Sequence, residues 1–325
     1  MLRTLIKPDT PSPKVNKLIL APMEGVIDPL MRKILCTINH YDLCITEFIR
    51  VVDSLVPKVI YRRICPELQH GCLSGNDTPL RIQLLGQEPK WMAENAVRAI
   101  ELGSHGIDVN FGCPAKAVNK SKGGAILLDD PEKVYQILLA IRKSISNEQT
   151  LSAKIRLGFN DTYLFDEVVS AIESSGANEL TIHARTKLNG YNPPAYWEYI
   201  NRAVSTSNIQ INANGEIWNS ADAFKCIDVS NTKNLMLGRG ALSLPNIANT
   251  IKYNDEEMSW SDLKGLLLVY SDLELNGDKS FYFSSRLKQW LKYLKLQYPQ
   301  AEQLFQSIKR LKNKDEILHF VHTIN

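Results

Sequence analysis

Eight short runs rich in β-branched and other apolar residues recur along this chain, each separated from the next by a stretch long enough to hold a helix. They read "KLILAP" (17–22), "YDLCITEF" (41–48), "LRIQLLG" (80–86), "GIDVNFG" (106–112), "LSAKIRLG" (151–158), "ELTIHAR" (179–185), "IQINANG" (209–215) and "NLMLGRG" (234–240). The intervening stretches carry helical spacing: in "PKWMAENAVRAIELG", Met92, Ala96, Ala99 and Ile100 share one face and Gly103 supplies a stop. Strands and helices alternating in this way predict an α/β fold, a (β/α)8 TIM barrel rather than an open sheet. No G-x-G-x-x-G follows the first run, which argues against a doubly wound dinucleotide fold. The expected division is a polar leader over 1–16, a barrel over 17–254 and an all-helical domain over 255–325.

In such a barrel the C-terminal ends of all strands open on one face. Those ends carry Pro22, Met23 and Glu24, Glu47, Gln83, Asn110 to Cys113, Lys154 and Arg156, His183 and Arg185, Asn214 to Glu216, and Gly238 with Arg239. A purely structural barrel has no reason to gather polar groups on one rim, so the rim reads as a catalytic site. "NANGE" and "LGRG" bring glycines to the ends of the seventh and eighth strands, where backbone N–H groups hold phosphate and Arg239 adds the countercharge; a phosphorylated cofactor follows.

Lys154 and Arg156 lie two residues apart, on one face of the fifth strand. A buried lysine needs an anionic or electron-rich partner, and a reduced flavin, a Schiff base or a plain salt bridge each satisfies it. Cys113 stands between Gly112 and Pro114, with its thiol over the rim. A free thiol titrates near ~8.5, so it can donate a proton, become a nucleophile beside a base, or stay an inert buried cysteine. Lys116, Lys120 and Lys122, ahead of Gly123 and Gly124, read as a mobile loop suited to an anionic substrate.

After Asn254 the pattern is helical throughout. In "FYFSSRLKQWLKYLKLQY", Phe283, Leu287, Trp290, Leu291 and Leu294 form an apolar stripe while Arg286, Lys288, Lys292 and Lys295 lie largely off it. From Ser280 onward eight basic residues face three acidic ones, a surplus of five in a chain whose total charge is +3. A basic tail on a near-neutral body points to a polyanionic partner; a solvated lysine-rich helix face gives the same count.

Hydrophobic content of 44% with 22% charged residues fits a globular protein. No apolar run approaches the ~20 residues of a membrane span, and the opening "MLRTLIKPDTPSPKVNK" lacks the apolar core of a signal peptide, so a cytoplasmic product without a membrane partner is expected. The six cysteines include no C-x-x-C pair and are expected to be free thiols. Cys65, His70 and Cys72 lie close in sequence but lack a fourth ligand at zinc spacing, so no metal is expected.

Taken together, "LAPMEGVID", "ITEF", "IQLLG", "DVNFGCPAK", "GGAILLDDP", "KIRLG", "TIHARTKLNGY", "ANGEIW" and "MLGRGAL" resemble the tRNA-dihydrouridine synthases, flavin enzymes that reduce selected uridines in tRNA, over about residues 17 to 325. "YDLCITEFIRVVD", "YRRICPEL" and "RLKQWLKYL" resemble the bacterial C branch of that family, whose target is uridine 16 of the D-loop. The resemblance implies FMN held by Pro22, Met23, Glu24, Gln83, Lys154, His183, Asn214, Gly215, Glu216, Gly238 and Arg239, with NADPH as the electron donor. It implies Cys113 as the acid that protonates uracil C5, Asn110, Arg156 and Tyr191 around a flipped base, and Arg50, Arg286 and Lys288 as the residues that orient tRNA by its D-loop and elbow. Phe111 departs from the small or thiol residue usual at its position, and alternation along the strand should turn it away from Cys113. The expectation is a monomeric enzyme acting on tRNA. Its rivals are a small-molecule FMN-dependent dehydrogenase on the same barrel, which leaves the basic tail without a task, and a non-enzymatic tRNA-binding protein.

Overall fold

The structure, a computed structural model, describes residues 14–120 and 122–324. The proposed leader falls largely outside the described residues. Eight parallel strands close into a barrel: β1 (Lys17–Leu20), β2 (Leu43–Arg50), β3 (Thr78–Leu85), β4 (Ile107–Phe111), β5 (Leu151–Arg156), β6 (Glu179–His183), β7 (Gln210–Asn214) and β8 (Asn234–Leu237). Register runs continuously round the ring, with Leu20 beside Cys44, Cys44 beside Leu80, Gln83 beside Asp108, Asp108 beside Ser152, Lys154 beside Thr181, His183 beside Asn214, and Met236 beside both Asn214 and Ile19. All eight sequence runs are strands. The ladder between β2 and β3 slips between Ile45 and Phe48, and there the Thr46 hydroxyl accepts the Gln83 N–H at 3.2 Å.

Period-two alternation divides the strand residues into two populations. Leu18, Leu20, Cys44, Ile82, Val109, Phe111, Ala153, Ile155, Leu180 and Leu237 point outward into the main core, against helices such as Pro89–Glu101 and Pro131–Ser144. Phe111 is fully buried there, turned away from the rim as the alternation predicts. Inside the barrel, Ile19, Ala21, Leu43, Ile45 and Met236 form a separate apolar cluster on the β8–β1–β2 side. The opposite wall is polar. Side-chain caps fix several helix starts: Asp28 on Pro29–Thr37, Asp130 on Pro131–Ser144 and Asn219 on Ser220–Ser230 each accept a first-turn N–H.

Among the described residues the tail has four α-helices, Trp260–Leu275, Phe283–Leu294, Pro299–Ile308 and Lys314–Thr323, with a short 3-10 turn at Ser280–Tyr282. The stripe of Phe283, Leu287, Trp290, Leu291 and Leu294 is buried, and Trp290 donates to the Leu242 carbonyl at 3.1 Å, seating the tail on the segment that follows β8. Among the described residues no helix is long and apolar enough to cross a membrane.

Candidate active site

A cavity of about 490 Å³ opens at the C-terminal ends of the strands. All eleven residues implied for the cofactor line it, from Pro22, Met23 and Glu24 through Gln83, Lys154, His183 and Asn214 to Gly215, Glu216, Gly238 and Arg239. Cys113, Asn110, Arg156 and Tyr191 line it as well. The sheet explains the convergence: Gln83, Asn110, Lys154, Arg156, His183 and Asn214 are inward-facing positions near the ends of five adjacent strands.

Lys154 is half-buried at the cavity wall, and its ammonium meets the neutral amide oxygen of Asn214 at 3.0 Å; among the described residues it has no ion pair. Burial and then the Arg156 charge lower its pKa to about 8, while Asp108 pulls the other way. Arg156 is buried too, its guanidinium donating to the carbonyls of Gly112 at 2.9 Å, Thr186 at 3.1 Å and Gly190 at 3.0 Å, below the ring of Tyr191. Burial, then the Arg156 and Lys154 charges, hold His183 well below the usual histidine range, so its ring is neutral, and its buried Nδ1 has no hydrogen-bond partner. Cys113 is 8% exposed, and burial pushes its thiol pKa up, which keeps the proton on sulfur at neutral pH. Its backbone N–H donates to Asn110 Oδ1 at 2.9 Å, fixing the turn that carries it.

On the far side Glu216 sits in the left-handed region with φ +59°. Its carboxylate accepts from Trp218 Nε1 at 2.8 Å and pairs with Arg185 and, at 3.7 Å, with Arg239. Arg185 is fully buried beneath the wall, and Arg239 lies between the rings of Tyr191 and Trp218 at 4.9 and 4.8 Å. Gly240 leaves no alternative residue: a Cβ there would stand 2.1 Å from the Ile217 carbonyl oxygen. Tyr191 is 52% exposed at the mouth.

Three implied tRNA-orienting residues lie away from the cavity. Arg50 is exposed at the end of β2. Arg286 faces inward, pairing with Asp28 at 2.7 Å and Glu274 at 2.6 Å, and Lys288 is half-buried and donates to the Leu311 carbonyl. The cations that the tail exposes are instead Lys279, paired with Asp28, and Lys292, Lys309, Arg310 and Lys312. The basic segment after Cys113 also differs from expectation. Lys116–Lys120 is a short helix, held by Asn119, which donates to the Cys113 carbonyl at 3.0 Å and accepts the Ile126 N–H at 2.9 Å. Cys65 and Cys72 are buried with their sulfurs 3.9 Å apart, and no cluster of three or more metal-type ligands occurs among the described residues.

Sequence reasoning missed Phe48, Trp218 and Tyr293, which also line the cavity. Trp218 follows Glu216 in "ANGEIW", a legible signal. Tyr293 belongs to the tail, and nothing in the sequence brings it to the rim.

A closed parallel barrel whose C-terminal mouth gathers a protonated thiol, a lysine lacking an ion pair and stacked arginines defines a barrel enzyme. Comparison with known proteins narrows the class. The family model described as Dihydrouridine synthase (Dus) matches residues 19–325. The chain is 53% identical to a tRNA-dihydrouridine(16) synthase of Shewanella oneidensis, covering 93% of this chain and 96% of that one. It is 46% identical to the protein of the same name from Escherichia coli K12, covering 95% and 98%. The old yellow enzyme homologue of Zymomonas mobilis shares the fold, with a TM-score of 0.51, 10% identity and coverage of 72% of this chain and 88% of that one. This chain belongs to the dihydrouridine synthase family.

Proposed function

We propose that this protein is an FMN- and NADPH-dependent tRNA-dihydrouridine synthase, acting on a D-loop uridine, with position 16 taken from the name of its relatives. The carrying observation is Lys154: a half-buried cation with a neutral protein partner, sharing the mouth of the barrel with a protonated thiol. The residues fit a flavin. His183 Nδ1 is a buried polar atom awaiting a partner, and Gly215 and Gly238 line the wall where a phosphate needs close backbone. Pro22, Met23, Glu24 and Gln83 would face the same group from β1 and β3, and Asn214 would meet it from β7.

When bound, the flavin, reduced by NADPH, supplies hydride to C6 of the uracil. Cys113 delivers the proton to C5, which requires the thiol form that burial favours. Lys154 holds positive charge against the anionic edge of the cofactor, and a bound anion raises its pKa again. Asn110 and Arg156 hold the base, and Tyr191, at the mouth with an exposed ring, offers it a stacking face. A stacked uridine cannot reach the bottom of such a cavity, so it is flipped out, at a cost of a few kcal/mol. Residues 255–325 act as the tRNA-binding domain, and Glu216 serves by holding Arg239 in place.

The test is site-resolved mapping of dihydrouridine on tRNA lacking the modification, incubated with the protein, FMN and NADPH. Reduction at position 16 is expected. Reduction elsewhere in the D-loop overturns the position, and flavin binding without any uridine reduction overturns the substrate.

A further inference from the structure

Asp108 precedes Asn110 by two residues on β4, so both side chains enter the barrel. It is fully buried and lies below the cavity lining. Two chains of hydrogen bonds end on its carboxylate. Arg81, which can only donate, gives an N–H to Ser152 Oγ at 2.9 Å, and the Ser152 hydroxyl donates to Asp108 Oδ1 at 2.5 Å. From the other side the backbone N–H groups of Gly112 and Cys113, also donors only, reach Asn110 Oδ1 at 3.0 and 2.9 Å. The Asn110 amide must then turn its NH₂ to Gln83 Oε1, at 2.7 Å, and Gln83 must turn its own NH₂ to Asp108 Oδ2, at 2.6 Å. The second direction is dictated from its donor-only end; in the first, Ser152 accepts from Arg81 and its hydroxyl proton lies nearer Asp108, at 2.5 Å, than the Ile107 carbonyl, at 3.4 Å. An ionised carboxylate accepts both bonds.

We propose that Asp108 is a positioning residue: as a buried carboxylate it sets the amide orientations of Gln83 and Asn110, and through Asn110 the backbone turn that presents Cys113 to the cavity. The inference rests on the reading of Cys113 as the proton donor. Asp108 does not touch the cavity, so it acts through its neighbours. Its surroundings are charged on every side: Arg81 on β3, Lys154 on β5, and Glu179 on β6, which pairs with Arg81 at 3.1 Å and with Lys17 of β1 at 2.8 Å. Burial lifts the Asp108 pKa to about 6, against the hydrogen bonds from Gln83 and Ser152 and the charges of Arg81 and Lys154. With its pKa raised to about 6 the carboxyl is ionised at neutral pH, but its ionisation costs the folded state relative to the unfolded chain, which a role in the site explains and a role in stability does not.

The experiment compares the full-length wild type with Asp108→Asn and Asp108→Leu. Asn still offers an oxygen to Gln83 while its NH₂ turns to Ser152, whose hydroxyl can swing to the Ile107 carbonyl at 3.4 Å. Leu offers neither. Hydrogen–deuterium exchange at Gly112 and Cys113 is expected to accelerate about tenfold or more in Asp108→Leu and less in Asp108→Asn, as for loss of one hydrogen bond. Exchange along β5 should stay unchanged. Measured per flavin-loaded protein, reduction of tRNA by pre-reduced protein is expected to slow about 10- to 100-fold for Leu, with partial rescue by Asn. Unchanged exchange at Gly112 and Cys113 in both variants overturns the proposal, as does acceleration spread evenly over the barrel. The exchange result stands whether or not the wild type reduces tRNA, so failure of the functional reading shows separately. If Asp108→Leu does not fold, the ratio between Asp108→Asn and wild type at those two amides decides.

Discussion

Replacing Arg286 with methionine should cost about 3 kcal/mol of stability while leaving the exposed cations of the tail in place. The side chain of Arg286 is 14% exposed and lies between two deeply buried acids, Asp28 at 5% and Glu274 at 2%. It joins the tail to the rim, because Asp28 caps the helix Pro29–Thr37 and Glu274 belongs to the first tail helix. Removing one partner of a buried pair costs roughly 3–5 kcal/mol, because the charge left behind is uncompensated. The lower end applies here. Asp28 keeps Lys279 at 3.0 Å and the Met31 N–H at 3.2 Å, and burial already raises the Glu274 pKa, so that acid can take up a proton. At roughly 2.1 cal/mol/K per residue, a chain of this length unfolds with an entropy of about 0.7 kcal/mol/K, so the melting temperature should fall by about 4 °C.

The two acids titrate with opposite sign. Burial opposes ionisation of Asp28, but Arg286 outweighs it and holds the folded pKa below 3.8; its contribution is present above that value and lost as pH falls through the folded pKa. Glu274 has a raised folded pKa, so its ionisation detracts from stability as pH rises above 4.5. The wild type should therefore lose more stability than Arg286→Met on acidification below about pH 4. Scanning calorimetry beside tRNA filter binding separates the roles. A lower melting temperature, recovered in part by adding Glu274→Gln, with near-normal tRNA affinity at low temperature, is the expected result. An unchanged melting temperature with tRNA binding weakened more than about tenfold would show that Arg286 meets phosphate, and the clamp reasoning would be wrong.

In the ligand-free protein Lys154→Met should raise stability by up to about 3 kcal/mol below pH 8, since a folded pKa of about 8 against 10.5 means that the native state resists protonation there. The wild-type deficit should shrink as pH rises from 8 towards 10.5, and flavin affinity should fall in the variant; a destabilised ligand-free variant contradicts this account. Cys113→Ala should retain flavin and oxidise NADPH normally while reducing tRNA at least about a hundredfold more slowly in single turnover, and an unchanged rate removes the proton-donor role. Neutralising Lys309, Arg310 and Lys312 should weaken tRNA binding and flatten its dependence on log salt by roughly 0.7–0.9 for each phosphate that the tail no longer neutralises; an unaltered slope places the RNA elsewhere.

How far the sequence could be read depended on how local the determining physics was. The strands were legible to within a few residues because alternation and flanking turns are local, and the mouth followed because period two sends Gln83, Asn110, Lys154 and Asn214 inward together. The apolar stripe of Phe283 to Leu294 was legible for the same reason. The direction of Arg286 was not, since its helix face leaves it free to turn outward and Asp28 and Glu274, on other elements, draw it in. Lys116–Lys120 reads as loop because a five-residue helix beside two glycines carries no period; Asn119 holds it to Cys113 by hydrogen bonds that sequence does not display. Asp108 looked like an ordinary strand residue until its neighbours were in place.

The asymmetry of the barrel interior links these observations. A barrel that only needed to fold would fill its layers with branched apolar side chains. Here β8, β1 and β2 do so, with Met236, Ile19, Leu43 and Ile45, whereas β3 to β7 contribute Arg81, Asp108, Ser152, Glu179, Thr181 and Asn212 below the mouth. These groups are stacked by depth. At the N-terminal floor Lys17 and Arg81 both pair with the one carboxylate of Glu179, Ser152 and Asp108 form the next level, and Gln83, Lys154 and Asn214 carry the bonds up to the cavity. Buried charges of this kind are retained at a cost unless each is paired, and the pairing is complete at the floor but not at Lys154. The unpaired end of the column is the end that opens to ligand. Apolar substitution at the floor should therefore alter stability first, and substitution at Gln83 or Lys154 should alter ligand binding first, because the column is closed by protein below and opens to the cavity above.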